Sequence, residues 1–113
     1  MISPPAITRF DIPAGKLTSY LLDIDHPKGG PKARFFLGYG FLLDQPAALA
    51  EALNEHAIAP TSTVALHKSP YGSRLRIEGP ISVPNGARPV IRAIWQIERG
   101  STTAVFVTAY PLK

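Results

Sequence analysis

Residues 90–110 read VIRAIWQIERGSTTAVFVTAY, and this stretch decides the fold. Apolar and polar residues alternate over Val90–Glu98 and again over Thr103–Tyr110, which is the period of a β-strand with one buried face. The two runs are separated only by a short segment around Arg99-Gly100-Ser101. Because consecutive strands with a short connection pair antiparallel, the stretch predicts a β-hairpin.

The same alternation extends toward the N-terminus as far as residue 61. Thr63–Ser69 and Arg74–Pro80 predict two further strands, with a turn at Pro70-Tyr71-Gly72 between them. The sequence Pro84-Asn85-Gly86 then closes a longer connection, and Asn-Gly is a strong turn signal. Residues 61–111 therefore predict a four-stranded antiparallel sheet.

Residues 16–58 have a helical pattern instead. A helix is predicted to begin at Gly30-Pro31, since proline is favoured at the first helical position, and to end near Gly38 or Gly40. A second helix is predicted from Pro46 to Ala57, capped by Asp44. Residues 17–22 fit either a short helix or an extended segment. Residues 1–15 are rich in proline and predict an extended lead-in with room for a short strand around residues 7–12.

These elements predict an α+β fold, in which two N-terminal helices pack on one face of a four-stranded antiparallel sheet. The length of 113 residues fits a single domain over residues 1–113. Strand alternation assigns to the helix-covered face Val64, Leu66, Leu75, Ile77, Ile91, Ala93, Trp95, Ile97, Val105, Val107 and Ala109. It assigns to the opposite face His67, Arg74, Arg76, Glu78, Arg92, Gln96, Glu98, Phe106, Thr108 and Tyr110.

The composition argues against several classes of protein. The chain has no cysteine, so disulfides and thiolate zinc sites are excluded. The three histidines lack the spacing of a helical metal pair, and we expect neither a metal nor a cofactor. No apolar stretch approaches the roughly 18 residues of a membrane span, and the pattern of a secretory signal is absent. We therefore expect a cytoplasmic protein with no membrane partner.

Positive charge concentrates in the second half of the chain. The net charge is +4, and residues 67–99 hold six Lys and Arg against two Glu. The predicted polar sheet face carries three arginines, the side chain best suited to bidentate phosphate contacts. This bias favours a phosphate or RNA partner, with His67, Arg74 and Arg76 as binding residues. The alternative is an ordinary solvated face on which Glu78 and Glu98 pair with the arginines.

The segment Lys16–Phe36 places a histidine and a lysine where the first helix begins. Lysine is disfavoured in the first turn of a helix, because the macrodipole is positive there. A phosphate would be attracted both by the unpaired backbone N–H groups and by Lys32. Two alternatives remain, namely that Lys32 is simply solvated and that Asp25-His26-Pro27 is a turn in which His26 bonds to the backbone.

Four stretches together carry a resemblance: Lys16–Phe36, the Tyr71-Gly72 turn with its following strand, the strand with Trp95, and Val107–Pro111. They resemble a family of small uncharacterised bacterial domains, which is similar to the toxin ribonucleases of the barnase, EndoU, colicin D and RelE superfamily. The resemblance implies a barnase/RelE-like fold. It also implies a metal-independent endoribonuclease toxin of a toxin–antitoxin or polymorphic toxin system, acting in the cytoplasm or delivered into a target cell's cytoplasm.

Such cleavage proceeds by attack of the 2′-hydroxyl and needs a base, an acid and cations around the phosphate. On the resemblance, His26 and Lys32 match the first motif of the family, and Thr108 and Tyr110 match the closing one. Arg92 is added from the predicted sheet face, with His67 as a reserve acid. The predicted catalytic residues are therefore His26 as base or acid, Lys32 and Arg92 on the phosphate, and Thr108 and Tyr110 for positioning.

The expected partners are RNA, either tRNA or mRNA, and an acidic antitoxin or immunity protein that covers the basic face. Two other functions remain open. The chain fits a non-catalytic protein-binding module of the immunity or antitoxin type, which would use a sheet face or edge. It also fits a module that binds RNA without cleaving it.

Overall fold

A computed structural model describes residues 7–112, so residues 1–6 of the predicted lead-in lie outside the described part. In chain order its elements are β1 (Arg9–Asp11), α1 (Ala14–Lys16), a π-helical turn (Leu17–Leu21), α2 (Gly30–Gly38), α3 (Pro46–Ile58), β2 (Thr63–Ser69), β3 (Gly72–Pro80), β4 (Val90–Glu98) and β5 (Thr103–Pro111).

The strands form a single mixed sheet in the order β1-β5-β4-β3-β2. The strands from β2 to β5 are consecutive antiparallel neighbours, whereas β1 pairs in parallel with β5, from Arg9 opposite Thr103 to Asp11 opposite Val105. The prediction of two helices on a four-stranded antiparallel sheet is therefore wrong, because the described residues hold three α-helices and five strands. A three-residue strand that pairs with the far end of the chain has no turn beside it to signal the pairing.

The helix α2 begins and ends where the sequence predicts, and α3 begins at the predicted Pro46 and runs one residue beyond its predicted end. The cap of α3 differs, since Gln45 rather than Asp44 is the N-cap and no side chain caps the helix. Residues 17–22, which fitted a helix or a strand equally well, are largely a π-helical turn. The period of a π-helix is neither 3.6 nor 2, so neither pattern could show it.

The core lies between the helices and one face of the sheet. Trp95 is fully buried on β4, and its ring lies edge-on to Phe10 of β1 and Phe106 of β5 at centroid distances of 5.1 and 5.3 Å. These contacts hold the short strand β1 against its neighbours, since edge-on aromatic pairs add about 0.5–1.5 kcal/mol to simple burial. Leu21, Phe36 and Leu53 bring the π-helical turn, α2 and α3 onto the same core.

A β-bulge changes which side chains of β5 enter this core. Thr108 pairs with Ile94, but Phe106 pairs with Trp95, so Val107 has no partner on β4. Phe106 is therefore buried, and the prediction that it lies on the polar face is wrong. Val105 and Val107, predicted in the core, are only partly buried. Val64 was also assigned to the core and is 51% exposed, because β2 is an edge strand.

Because β1 is short, it leaves part of β5 free to contact the helices. It pairs only with Thr103–Val105, so the C-terminal half of β5 has no strand on its outer side. There α2 packs beside β5, and the π-helical turn packs against α2. Side chains from both helical segments reach the end of β5 and border the sheet face that the helices leave uncovered, which we call the open face.

Candidate functional site

An open groove of about 370 Å³ lies on the open face across β2 to β5. Strand register explains its composition, because Arg74 is paired with His67 on β2 and Arg92 is paired with Tyr110 on β5. A larger cavity of about 500 Å³ between the β2–β3 and β4–β5 turns contains none of the predicted site residues. The residues that line the groove are His67, Arg74, Arg76, Arg92, Ile94, Thr108 and Tyr110.

Arg92 is held at the floor of this groove by two neighbours. Its Nη2 donates to both carboxylate oxygens of Glu78, at 3.2 and 3.3 Å, and its Nη1 donates to the hydroxyl of Tyr110 at 3.3 Å. The hydrogen bond to Tyr110 raises the pKa of Arg92, partial burial opposes this, and Glu78 reinforces it. Arg92 is therefore a fixed guanidinium cation, and the pairing of Glu78 with an arginine is present in the structure.

The other two arginines keep most of their donors for a ligand. Arg74 donates from Nε to the side-chain oxygen of Gln96 at 3.1 Å. Its two terminal nitrogens make no hydrogen bond within residues 7–112. Arg76 makes no side-chain hydrogen bond or ion pair within residues 7–112. Since one glutamate faces three arginines here, the groove retains positive charge after the Glu78–Arg92 pair is counted.

Tyr20 and Lys32 lie beside the groove, where they contact Thr108 and Tyr110 of β5. Lys32 Nζ donates to the Tyr20 hydroxyl at 2.5 Å, and that hydroxyl lies 2.9 Å from Oγ1 of Thr108. The ammonium groups of Lys16 and Lys32 each lie 5.0 Å from the centre of the Tyr20 ring. Lys32 Nζ is also 6.0 Å from the centre of the Tyr110 ring, so the same ammonium group lies near both Tyr20 and a residue that lines the groove.

This arrangement changes the acidity of Tyr20. Partial burial by itself would raise the pKa of its phenol. The hydrogen bonds with Lys32 and Thr108, together with the charges of Lys32 and Lys16, outweigh that effect, so the pKa is lower than the ordinary value of 10.0. Hydrogen bonds and nearby cations both favour the ionised form of a phenol.

The glycine pair Gly29-Gly30 at the start of α2 allows the contact between Lys32 and Tyr20. A Cβ on Gly29 would lie 2.8 Å from Cδ1 of Tyr20 and 3.0 Å from its carbonyl carbon, and one on Gly30 would lie 2.6 Å from the carbonyl oxygen of Ile24. The start of α2 therefore packs directly against Tyr20 of the π-helical turn and against Ile24 of the following loop only because both positions lack a side chain. Lys32, two residues into the helix, is thereby carried to Tyr20.

His26 organises the same helix start. Its Nδ1 accepts hydrogen bonds from the backbone N–H groups of Lys28 at 3.1 Å and Gly29 at 2.9 Å. Its ring lies edge-on to Tyr20, with 5.1 Å between ring centres. The turn in which His26 bonds to the backbone is thus the observed one. A ring nitrogen that accepts two backbone hydrogen bonds carries no proton, so the proton of the neutral ring is on Nε2.

The structure brings together most of the predicted site. Arg92, Thr108 and Tyr110 line the groove, and Lys32 lies next to it, 6.0 Å from the centre of the Tyr110 ring. His26 is one contact further away, against the ring of Tyr20. His67, Arg74 and Arg76 line the β2 and β3 side. Tyr20 was not among the predicted residues. Its sequence signal was weak, because only its place between Lys16 and Lys32 in the same segment set it apart.

Two further observations concern other kinds of site. Within residues 7–112, no three His, Asp or Glu side chains come close enough to form a metal-binding cluster. In that same part of the chain, no helix combines the length and the apolar character that crossing a membrane requires.

Fold and site together define a small α+β domain with a cationic groove on the open face of a mixed sheet. Residues 4–113 match the family described as Domain of unknown function (DUF6883), and the chain belongs to that family. No curated protein sequence matches it.

Among solved structures, the fold is similar to a chain of the contact-dependent growth inhibition toxin–immunity protein complex from Klebsiella pneumoniae 342. The TM-score is 0.66 at 19% sequence identity, and the match covers 89% of this chain and 98% of that one. At that identity the likeness shows a shared fold.

Proposed function

We propose that the chain is the toxin of a bacterial toxin–antitoxin or polymorphic toxin system, and that its groove cleaves RNA without a metal ion. The observation that carries the proposal is that Lys32 Nζ and the Arg92 guanidinium lie 6.0 and 5.7 Å from the centre of the Tyr110 ring, with Thr108 in the same groove lining. Two cations around one small space are suited to the negative charge that develops on a phosphate during cleavage. The toxin–immunity complex that shares the fold supports a role in such a system.

The proposed reaction begins with the 2′-hydroxyl of a ribose, which attacks the adjacent phosphate after losing its proton to a base. The bond to the 5′-oxygen of the next nucleotide breaks, and that oxygen takes up a proton. The products are a 2′,3′-cyclic phosphate and a free 5′-hydroxyl. Lys32 and Arg92 stabilise the phosphate, Thr108 and Tyr110 position it, and His26 is the sequence-predicted candidate for proton transfer.

The remaining groove residues would hold the RNA on either side of the cleaved bond. Arg74 and Arg76 on β3 and His67 on β2 continue the positive surface away from Lys32. Arginine binds phosphate in a bidentate manner and also stacks on bases, both of which suit a single-stranded RNA segment of a tRNA or mRNA. An acidic immunity protein or antitoxin would bind the same face through complementary charge.

The ion pair between Glu78 and Arg92, at 3.2 Å, favours a second candidate function. An arginine that is already paired with a carboxylate is less available to bind phosphate. This pairing suits a non-catalytic module that binds a protein partner, or that binds RNA without cutting it. The two functions differ in one outcome, namely whether RNA remains intact.

The test is incubation of the purified chain with total RNA and tRNA in excess EDTA, followed by analysis of the product ends. We expect cleavage with 2′,3′-cyclic phosphate ends, lost in Lys32→Ala and Arg92→Ala and reduced in His26→Ala. Lys28→Ala is the matched control, because Lys28 is exposed in the loop before α2 and, unlike Lys32, its side chain contacts neither Tyr20 nor Tyr110.

Intact RNA with a folded protein would support the binding module instead. Cleavage that survives each of the substitutions at His26, Lys32 and Arg92 would show that the activity does not come from this groove.

A further inference from the structure

We propose that Tyr20 is the general base of this cleavage, with its oxygen held between Lys32 Nζ and Thr108 Oγ1 and directed toward the groove. The inference rests on the ribonuclease function proposed above and assigns the proton-accepting step of the same site. It changes the role of His26 from a proton-transfer group to a positioning residue.

The position of the Tyr20 oxygen is the first support. It lies 2.9 Å from Oγ1 of Thr108, a residue that itself lines the groove, and it is bonded to Lys32, which lies over the Tyr110 ring. A phosphate bound between Lys32 and Arg92 would therefore bring its neighbouring ribose close to the Tyr20 oxygen. A candidate base must be able to reach the proton that it removes, and this is the only side chain of the described helical segments seen bonded to a groove residue.

The charges around Tyr20 are the second support. The titratable and charged groups that face it are Lys16 from α1, Lys32 from α2 and His26 from the preceding loop. The two ammonium groups carry positive charge, and no carboxylate within residues 7–112 is bonded to this phenol. These surroundings favour the ionised form of the phenol over the neutral one, and they are the reason that the pKa of Tyr20 is lowered.

The bonding of His26 excludes the simplest competitor. Its Nδ1 is occupied by two backbone N–H donors, so in this arrangement the lone pair that would accept a proton is already used. The remaining nitrogen, Nε2, carries a hydrogen and cannot act as a base. The ring instead packs on Tyr20 and fixes the loop that holds Gly29 against it.

The proposed step is balanced as follows. The phenolate of Tyr20 accepts the proton of the 2′-hydroxyl, and the 2′-oxygen forms a bond to phosphorus. The bond from phosphorus to the 5′-oxygen breaks, and that oxygen takes a proton from water. Tyr20 leaves the step as a phenol and returns its proton to solvent, so no oxidant, reductant or further reactant is needed.

The first test compares RNA cleavage by Tyr20→Phe with that by the wild type and by Tyr71→Phe. Tyr20→Phe keeps the ring that His26, Lys16 and Lys32 contact and removes only the oxygen. We expect a loss of about 10²–10⁴-fold in kcat/KM, which is the usual contribution of a general base. Tyr71→Phe is the control, since Tyr71 is 85% exposed in the β2–β3 turn, and it should cleave like the wild type.

A second readout separates a base from a structural residue. Incorporation of 3-fluorotyrosine at position 20 lowers the intrinsic pKa of the phenol, and we expect the acidic limb of the kcat/KM–pH profile to move to lower pH. A structural role for the ring would not move this limb. Tyrosinate absorbance should show one tyrosine that ionises early in the wild type, is missing in Tyr20→Phe and ionises later in Lys32→Met.

The outcomes distinguish the two proposals. If the wild type cleaves RNA and Tyr20→Phe cleaves equally well with an unchanged pH profile, the base assignment is wrong and the ribonuclease function stands. If the wild type leaves RNA intact, the ribonuclease function fails and the assignment fails with it, whatever the titration of Tyr20.

Discussion

Replacement of Gly29 by alanine tests the packing on which the site depends. The added methyl would lie 2.8 Å from Cδ1 and 3.0 Å from the carbonyl carbon of Tyr20, well inside ordinary van der Waals contact. The backbone of Tyr20 is fixed by the π-helical turn, so the chain must shift rather than a flexible side chain. Overpacking of this kind costs about 1–3 kcal/mol. The shift would also separate Tyr20 from Lys32.

The assay is urea denaturation followed by the fluorescence of Trp95, the single tryptophan, which is fully buried. With a slope of about 2 kcal/mol per M urea, a loss of about 2 kcal/mol lowers the unfolding midpoint by about 1 M. Gly38→Ala, at the C-terminal end of α2, is the matched control, because nothing lies within 4 Å of its added Cβ. That variant should gain about 0.4–1 kcal/mol.

A midpoint for Gly29→Ala at or above that of the wild type, and close to that of Gly38→Ala, would refute this reasoning. It would mean that the start of α2 does not need to approach Tyr20 so closely.

Three other predictions concern charge. Burial lowers the pKa of His56 below 6.5, and the hydrogen bond to Gly79 offsets part of this effect. As the pH falls, the unfolded chain therefore binds a proton at His56 before the folded chain does. Stability should therefore be full above about pH 6.5 and fall below it by up to about 1.4 kcal/mol per pH unit, a loss that is absent in His56→Gln when urea midpoints are compared across pH. Glu78→Gln removes the partner of Arg92 and should tighten RNA binding several-fold in fluorescence anisotropy; weaker binding would contradict a phosphate role for Arg92. Arg76→Gln should reduce the slope of log K against log salt by about 0.7 for single-stranded RNA, and an unchanged slope would place the RNA elsewhere.

The sequence predicts the local elements well where one period dominates. The prolines at the starts of α2 and α3 mark helix starts that the structure keeps, and the bounds predicted for the strands β2 to β5 lie within two residues of the observed ones. The failures are non-local. A short strand around residues 7–12 was anticipated, but its parallel pairing with β5 depends on residues at the other end of the chain. The bulge at Val107 depends on how β5 fits around Trp95. The hydrophobic pattern indicates neither the pairing nor the bulge.

In the candidate site too, the residues placed by local periodicity were predictable and those placed by non-local packing were not. The arginines of β3 and β4 were predicted together, because strand alternation alone decides which sheet face they share. Tyr20 could not be predicted, since its meeting with Thr108 depends on the π-helical turn and on the absence of side chains at Gly29. His26 was correctly placed at the helix start, but the choice between a turn residue and a proton-transfer residue required its hydrogen bonds.

The measurement that tests the central claim most directly is an NMR footprint of RNA on the isotopically labelled wild-type chain. A 2′-O-methylated oligonucleotide is suitable, because its blocked hydroxyl prevents cleavage while the phosphates remain. We predict that the largest shift changes fall on Arg92, Thr108 and Tyr110 and on the first turn of α2 around Lys32. Changes confined to the β2–β3 and β4–β5 turns, or no changes at all, would contradict the claim that this groove is the site of RNA cleavage.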